Sequence, residues 1–305
     1  MPVSLSDLFI RIAPFVFVGL WATGFVGARL SMPHAEPASF LLLRYLLAFS
    51  ILGLIALLWK SAWPKGRLAL HCMVVGMLVH AVYLGCVFWA VRNGMPANVS
   101  AIIVGLQPLL TALIAAPWLG ERITSRHWVG ISIGLIGILL VLGPKVDVTD
   151  SGITAITVSV CLLSVLGMAI GTVCQKRFGG TAELLPATCL QYFGAALPTL
   201  AFALAFESFA ITWNFDTVIG LLWLVFVLSI AAVFLLMWLI AQGSVARVSS
   251  LFYLVPVVAA TMTWALFGET LLPVQIVGMV LCAFAVALAA IGKGTTPAPV
   301  SKAQP

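Results

Sequence analysis

The feature that most constrains this chain is an internal repeat. Residues 97–119, ANVSAIIVGLQPLLTALIAAPWL, lead through the polar turn GERITSRH into a second apolar run, WVGISIGLIGILLVLG. The pattern returns 148 positions later without a gap: Pro108 is matched by Pro256, Gly120-Glu121 by Gly268-Glu269, and Val129-Gly130 by Val277-Gly278. A period of this length means two homologous halves rather than a short-repeat array. The boundaries that follow are a cytoplasmic N-terminus at 1–11, a first half at 12–143, a second at 152–291 and a tail at 292–305. Each half divides into five apolar runs. Five is odd, so the second half is expected to lie inverted in the membrane relative to the first, a common way to build a transporter.

Composition decides that these runs lie in lipid. Hydrophobic residues make up 63% and charged residues 8%, with a mean hydropathy of +1.19. A soluble surface needs about 25% charge. The runs are continuous and near the ~20 residues that a spanning helix requires, whereas barrel strands alternate over about 10. The expectation is an all-α membrane protein of ten transmembrane helices. A net charge of +6 does not point to nucleic acid, because the basic residues sit at the ends of the runs. With the N-terminus inside, Arg11, Lys60, Lys65, Arg67, Arg122, Arg126, Lys176, Arg177, Arg247, Lys293 and Lys302 are cytoplasmic, against Arg29, Arg92 and Lys145 outside. This bias puts both termini in the cytoplasm. The GKGTTPAPVSKAQP tail lacks apolar residues and is expected to be disordered.

The cysteines, Cys72, Cys86, Cys161, Cys174, Cys189 and Cys282, lie inside apolar runs without CxxC or Cys/His spacing. They read as packing residues, with no disulfide framework, metal or cofactor implied. Within the runs there is no GxSxG, no HExxH and no paired aspartate, so nothing points to an enzyme.

The repeat also carries a resemblance. LQPLLTALIAAPWLGERIT with HWVG after it, Arg44-x-x-x-Ala48, FWAVRNGMPANVSAII and the weaker LVPVVAATMTWALFGETLLPVQIVG resemble the EamA domain of the drug/metabolite transporter superfamily over nearly the whole chain. The resemblance implies two inverted five-helix EamA repeats, a central cavity between them and export of small metabolites across the inner membrane. In architecture the chain looks most like the YddG-type exporters of aromatic and other amino acids. No short motif names a substrate, and a purine-like or drug-like solute, or a channel or scramblase, stays open as an alternative.

Candidate site residues follow from what is costly in lipid. Pro108 and Pro256 interrupt helical hydrogen bonding at equivalent positions and are candidate hinges at a cavity. His80 lies near the middle of its run, and Tyr83, three residues on, shares its face in an α-helix. Gln107 precedes the first proline. Trp21 and Thr23 lie mid-run, and Tyr253 lies one turn before Pro256. Arg44, two turns into its run, either snorkels to headgroups or meets a substrate carboxylate at the cavity mouth. Gly130, Gly134 and Gly137, with their equivalents Gly278, Cys282 and Ala285, form small-residue faces that predict close packing of the fifth and tenth runs.

All nine acidic residues lie outside the runs or at their ends. Coupling through a buried carboxylate is therefore not expected, and alternating access reads as facilitated. The runs also lack the deep Lys/Arg cluster that a phosphorylated substrate would need. The expected partners are the bilayer and a neutral, zwitterionic or weakly charged solute such as an amino acid. The protein is expected to act as a monomer, since one chain holds both halves.

Overall fold

The computed structural model describes residues 5–95, 100, 103–121, 123–145, 153–179, 182–243, 245–267 and 271–291. Among them the fold is helical. In chain order the helices are α1 (Leu5–Ala22), α2 (Gly24–Ser31), α3 (Pro37–Leu58), α4 (Gly66–Arg92), α5 (Gln107–Leu119), α6 (Ser125–Leu142), α7 (Ala155–Phe178), α8 (Leu184–Phe206), α9 (Phe215–Gln242), α10 (Val245–Ser250), α11 (Leu254–Phe267) and α12 (Pro273–Ile291). Five of them, α3, α4, α7, α8 and α9, are long and apolar enough to cross a bilayer, and shorter apolar helices accompany them. Tail residues 292–305, Gly268-Glu269 and the linker around 146–152 lie outside the described residues.

Local chemistry sets the helix ends. Pro37 opens α3 at the first helical position, where its missing N–H costs nothing. Thr124, Thr154 and Asn214 cap α6, α7 and α9 by accepting from backbone N–H groups three residues on. Gly120 stops α5 in the left-handed region, with φ at 67°.

Several runs that the sequence presents as continuous are broken. The first is interrupted at Thr23, between α1 and α2. In the fourth, turn residues Gly105 and Leu106 precede Pro108, so the proline stands in the first turn of α5 rather than inside it. The ninth divides into α10, a tight turn at Leu251–Tyr253, and α11, whose first turn contains Pro256. Both equivalent prolines therefore open a helix segment, where their chemistry is tolerated, and the interruption lies just before each. Two further irregularities are wide π turns inside long helices, at Met77–Val82 in α4 and Leu224–Ala232 in α9.

The two ends of the bundle are tied by carboxylates. At one end Glu36 accepts from the Ser208 and Ala210 N–H groups at 2.9 Å each, while Glu207 accepts from the first amides of α3, Ala38 and Ser39, at 2.8 and 2.7 Å. Ala35 also pairs with Ile211 as an isolated β-bridge. At the other end Glu183 accepts from Ala62 N–H at 3.1 Å, Glu121 from Val245 N–H at the start of α10 at 2.9 Å, and Arg177 donates to the Trp118 carbonyl at 2.6 Å. Glu121, just beyond the glycine that stops α5, thus caps a helix of the opposite half.

The small-residue faces meet. A Cβ at Gly137 would sit 2.7 Å from Cys282 Sγ, and one at Gly278 would sit 2.6 Å from the Gly137 carbonyl. Cys282 Sγ lies 3.8 Å from the carbonyl of its own repeat equivalent, Gly134. Contact between equivalents is what a two-fold relation produces on its axis, and only small residues let two backbones come this near.

Candidate functional site

The most polar part of the interior is built from α3 and α4 of the first half and α8 and α9 of the second. Arg44 is 4% exposed. It does not snorkel: its Nε donates to Ser229 Oγ at 2.7 Å, deep in α9. Among the described residues it has no carboxylate partner, and its neighbours include Tyr45, Tyr192 and His80. A buried guanidinium without a counter-charge costs several kcal/mol in a protein interior.

Around it stand three stacked rings. His80 lies on Tyr192 with centroids 4.6 Å apart and planes at 23°, and Tyr45 stacks on Tyr192 at 6.0 Å and 27°. The hydroxyls of both tyrosines reach backbone carbonyls in the π turns. Tyr45 donates to the His80 carbonyl at 3.0 Å and Tyr192 to the Ser229 carbonyl at 2.6 Å. His80 is 2% exposed and its Nε2 has no partner among the described residues.

His80 and Tyr83 do not share neighbours, contrary to the α-helical spacing argument. A π turn holds more residues than an α turn, so a step of three falls further short of a revolution. Tyr83 turns instead into an apolar cluster with Phe17, Met237 and Phe252, against which Trp21 also packs. Trp21 packs against Phe17 and Phe252 with centroids 5.3 and 5.4 Å away. This aromatic patch joins α1 and α4 to the tight turn of the second half. It lies three residues along α4 from His80, about 4.5 Å of helix rise.

Gln107 is buried; its Nε2 donates to Thr111 Oγ1 at 3.0 Å and Ser249 Oγ at 3.4 Å, and its Oε1 has no partner among the described residues. Thr23 marks the α1–α2 break, donating to the Leu20 carbonyl at 2.6 Å and accepting from Trp223 Nε1 at 2.9 Å. Tyr253 lies apart from the rings, over Gly134 in the small-residue seam, with its hydroxyl 3.4 Å from the Ile131 carbonyl. Thus Arg44 and His80 come together; Trp21 and Tyr83 form the adjoining apolar wall; Gln107, Thr23 and Tyr253 occupy separate places. Pro108 is buried in the first turn of α5, and the side chain of Pro256 lies outside the described residues.

The sequence reading missed Tyr45 and Ser229. Tyr45 adjoins Arg44, and the pair Arg44-Tyr45 returns as Gln191-Tyr192 at a spacing of 147. Ser229 is the one hydroxyl residue between Val218 and Ala241. Both signals were present in the string.

A fold helical over its described residues, made of two like halves with a buried arginine and aromatic rings held between them, has the design of a membrane transporter. Comparison with known proteins agrees: the model of the EamA-like transporter family matches residues 8–143 and again 155–291, and the chain belongs to that family. A relative from Salmonella typhimurium named "Probable amino-acid metabolite efflux pump" is 26% identical over 274 residues, covering 87% of this chain and 89% of that protein. The uncharacterized inner membrane transporter YedA of Escherichia coli K12 is 27% identical over 286 residues, covering 94% and 92%. A solved structure titled "Crystal structure of protein" superposes with a TM-score of 0.79 at 16% identity over 92% of this chain and 97% of that one, a likeness of fold.

Proposed function

We propose that the protein exports amino acids with apolar or aromatic side chains from the cytoplasm across the inner membrane, by alternating access between two inverted five-helix halves. The observation that carries this reading is Arg44. It is a permanent charge buried between the halves, spends one nitrogen on a neutral hydroxyl, and has no carboxylate partner among the described residues. A substrate carboxylate supplies that partner through charge-assisted bonds. The aromatic patch of Phe17, Trp21, Tyr83 and Phe252 lies three residues along α4 from His80 and suits the side chain. The relative named as an amino-acid metabolite efflux pump supports the same substrate class. Ten spans, cytoplasmic termini and a monomer complete the proposal, with Pro108 and Pro256 as hinges beside the helix interruptions. The acidic residues all lie outside the spans or at their ends and His80 is the one histidine near the middle of a span, so transport is downhill on the substrate gradient.

The test is counterflow in proteoliposomes with radiolabelled phenylalanine, leucine and their carboxamides. Saturable uptake of the acids and not the amides is expected. Arg44→Met should lower kcat/KM for the acids by roughly 10- to 100-fold, the worth of one charged hydrogen-bonding group. Equal transport of acids and amides by the wild type would sink the reading.

A further inference from the structure

The two π turns are counterparts, and so is everything that touches them. Tyr45 and Tyr192 are 147 positions apart, and the carbonyls they hold, those of His80 and Ser229, are 149 apart. Each tyrosine bonds the π turn of its own half, while its ring stacks against its counterpart from the other half. The packing behind each turn is matched too. Gly24 lies against Leu228, with the nearest atom 3.4 Å from where a Cβ would stand. Its counterpart Gly171 lies against Val79, the counterpart of Leu228, in the same way. The first helix of each half therefore backs the π turn of the other.

A π turn has one residue more than the α-helix accommodates, and it lasts only where its displaced carbonyls find donors. Within each apolar π turn the tyrosine hydroxyl donates to one carbonyl, that of His80 or of Ser229, and the His80 carbonyl accepts from the Tyr83 N–H as well. What the turns display is the site itself: the His80 ring comes from one and the Ser229 hydroxyl that holds Arg44 from the other.

We infer that Tyr45 and Tyr192 are repeat-related positioning residues, each fixing the π turn of its own half through its hydroxyl and thereby placing His80 and Ser229 in the site. They act through those residues without needing to touch substrate. This rests on the inverted, alternating-access reading above. In such a design the pseudo-two-fold operation exchanges the two faces of the membrane. Loosening one turn must then bias the transporter toward one face, and loosening its counterpart must bias it toward the other.

The experiment uses the full chain, made cysteine-free except for Ser249→Cys, in oriented proteoliposomes. An impermeant maleimide is applied from one face and then the other, with no substrate present. Tyr45→Phe and Tyr192→Phe keep the rings and remove the hydroxyls. They should change the ratio of labelling from the two faces in opposite directions, each by roughly two- to tenfold, as loss of one neutral hydrogen bond allows. The double variant should return toward the parent ratio, because mirrored lesions cancel. A purely structural role fails this last criterion, since destabilisation accumulates. Shifts in the same direction, unchanged ratios, a double variant further from the parent than either single one, or loss of folded protein in either single variant would overturn the proposal. Because labelling uses no substrate, it stands or falls separately from the amino-acid assignment.

Discussion

At the scale of single residues, the interior is governed by where a side chain is absent as much as by where one is present. A Cβ at Gly76 would collide with the Gln191 carbonyl, and one at Gly194 with the Met73 backbone. These two glycines let α4 and α8, from opposite halves, touch backbone to backbone beside the ring stack. Gly76→Ala should therefore force the helices apart and cost about 1–3 kcal/mol, as overpacking does. The measurement is thermal unfolding in detergent, with Gly85→Ala as control, since a Cβ at Gly85 has nothing within 4 Å. Equal midpoints for the two variants would contradict it. Such contacts are only half legible in a sequence. The glycines of the α6–α12 seam announce themselves by four-residue spacing; Gly76 and Gly194 stand alone, and what each meets comes from a distant segment.

At the scale of elements, the strap at one end of the bundle depends on the charge of Glu36. Glu36 is held below the usual carboxylate range, first by the Ala210 N–H and further by Ser208, against the opposing effect of partial burial. The folded-state value lies under the unfolded one, near ~4.3, so the stabilisation is fully present above that pH and fades as pH falls through the folded value. Glu36→Gln should lower the unfolding midpoint at neutral pH, and its difference from wild type should shrink below about pH 4. A constant difference across that window would show that the charge is not what matters. Caps and straps of this kind were partly readable: Glu121 beyond a terminal glycine reads as structural from position alone. The π turns were not. Neither MLVHAV nor LVFVLSIAA contains a proline or glycine, and the tyrosines that bond these turns come from elsewhere in the chain.

At the scale of the whole molecule, the duplicated pattern carried the family and the helical class, because a repeat in lipid leaves few architectures. It did not carry the site, which lies where the halves cross: Arg44 binds a residue 185 positions away. The halves are joined by the α6–α12 seam, the ring stack and the end straps rather than by the linker between them. A chain cut between residues 146 and 152 and expressed as two pieces should therefore reassemble and copurify. Gly137→Leu, which fills the seam against Cys282 and Gly278, should abolish copurification while leaving each piece expressed. Pieces that never associate would show that the linker is essential to assembly.

The lone guanidinium also bears on what the protein keeps out. Any positive ion entering the same passage approaches a like charge; at roughly 4 Å and an effective dielectric near 20 the repulsion is about 4 kcal/mol. Sodium and hydronium are thereby disfavoured. If the pathway opens to each compartment in turn, as proposed above, it can then turn over a zwitterion that presents its acid end without short-circuiting the voltage across the membrane.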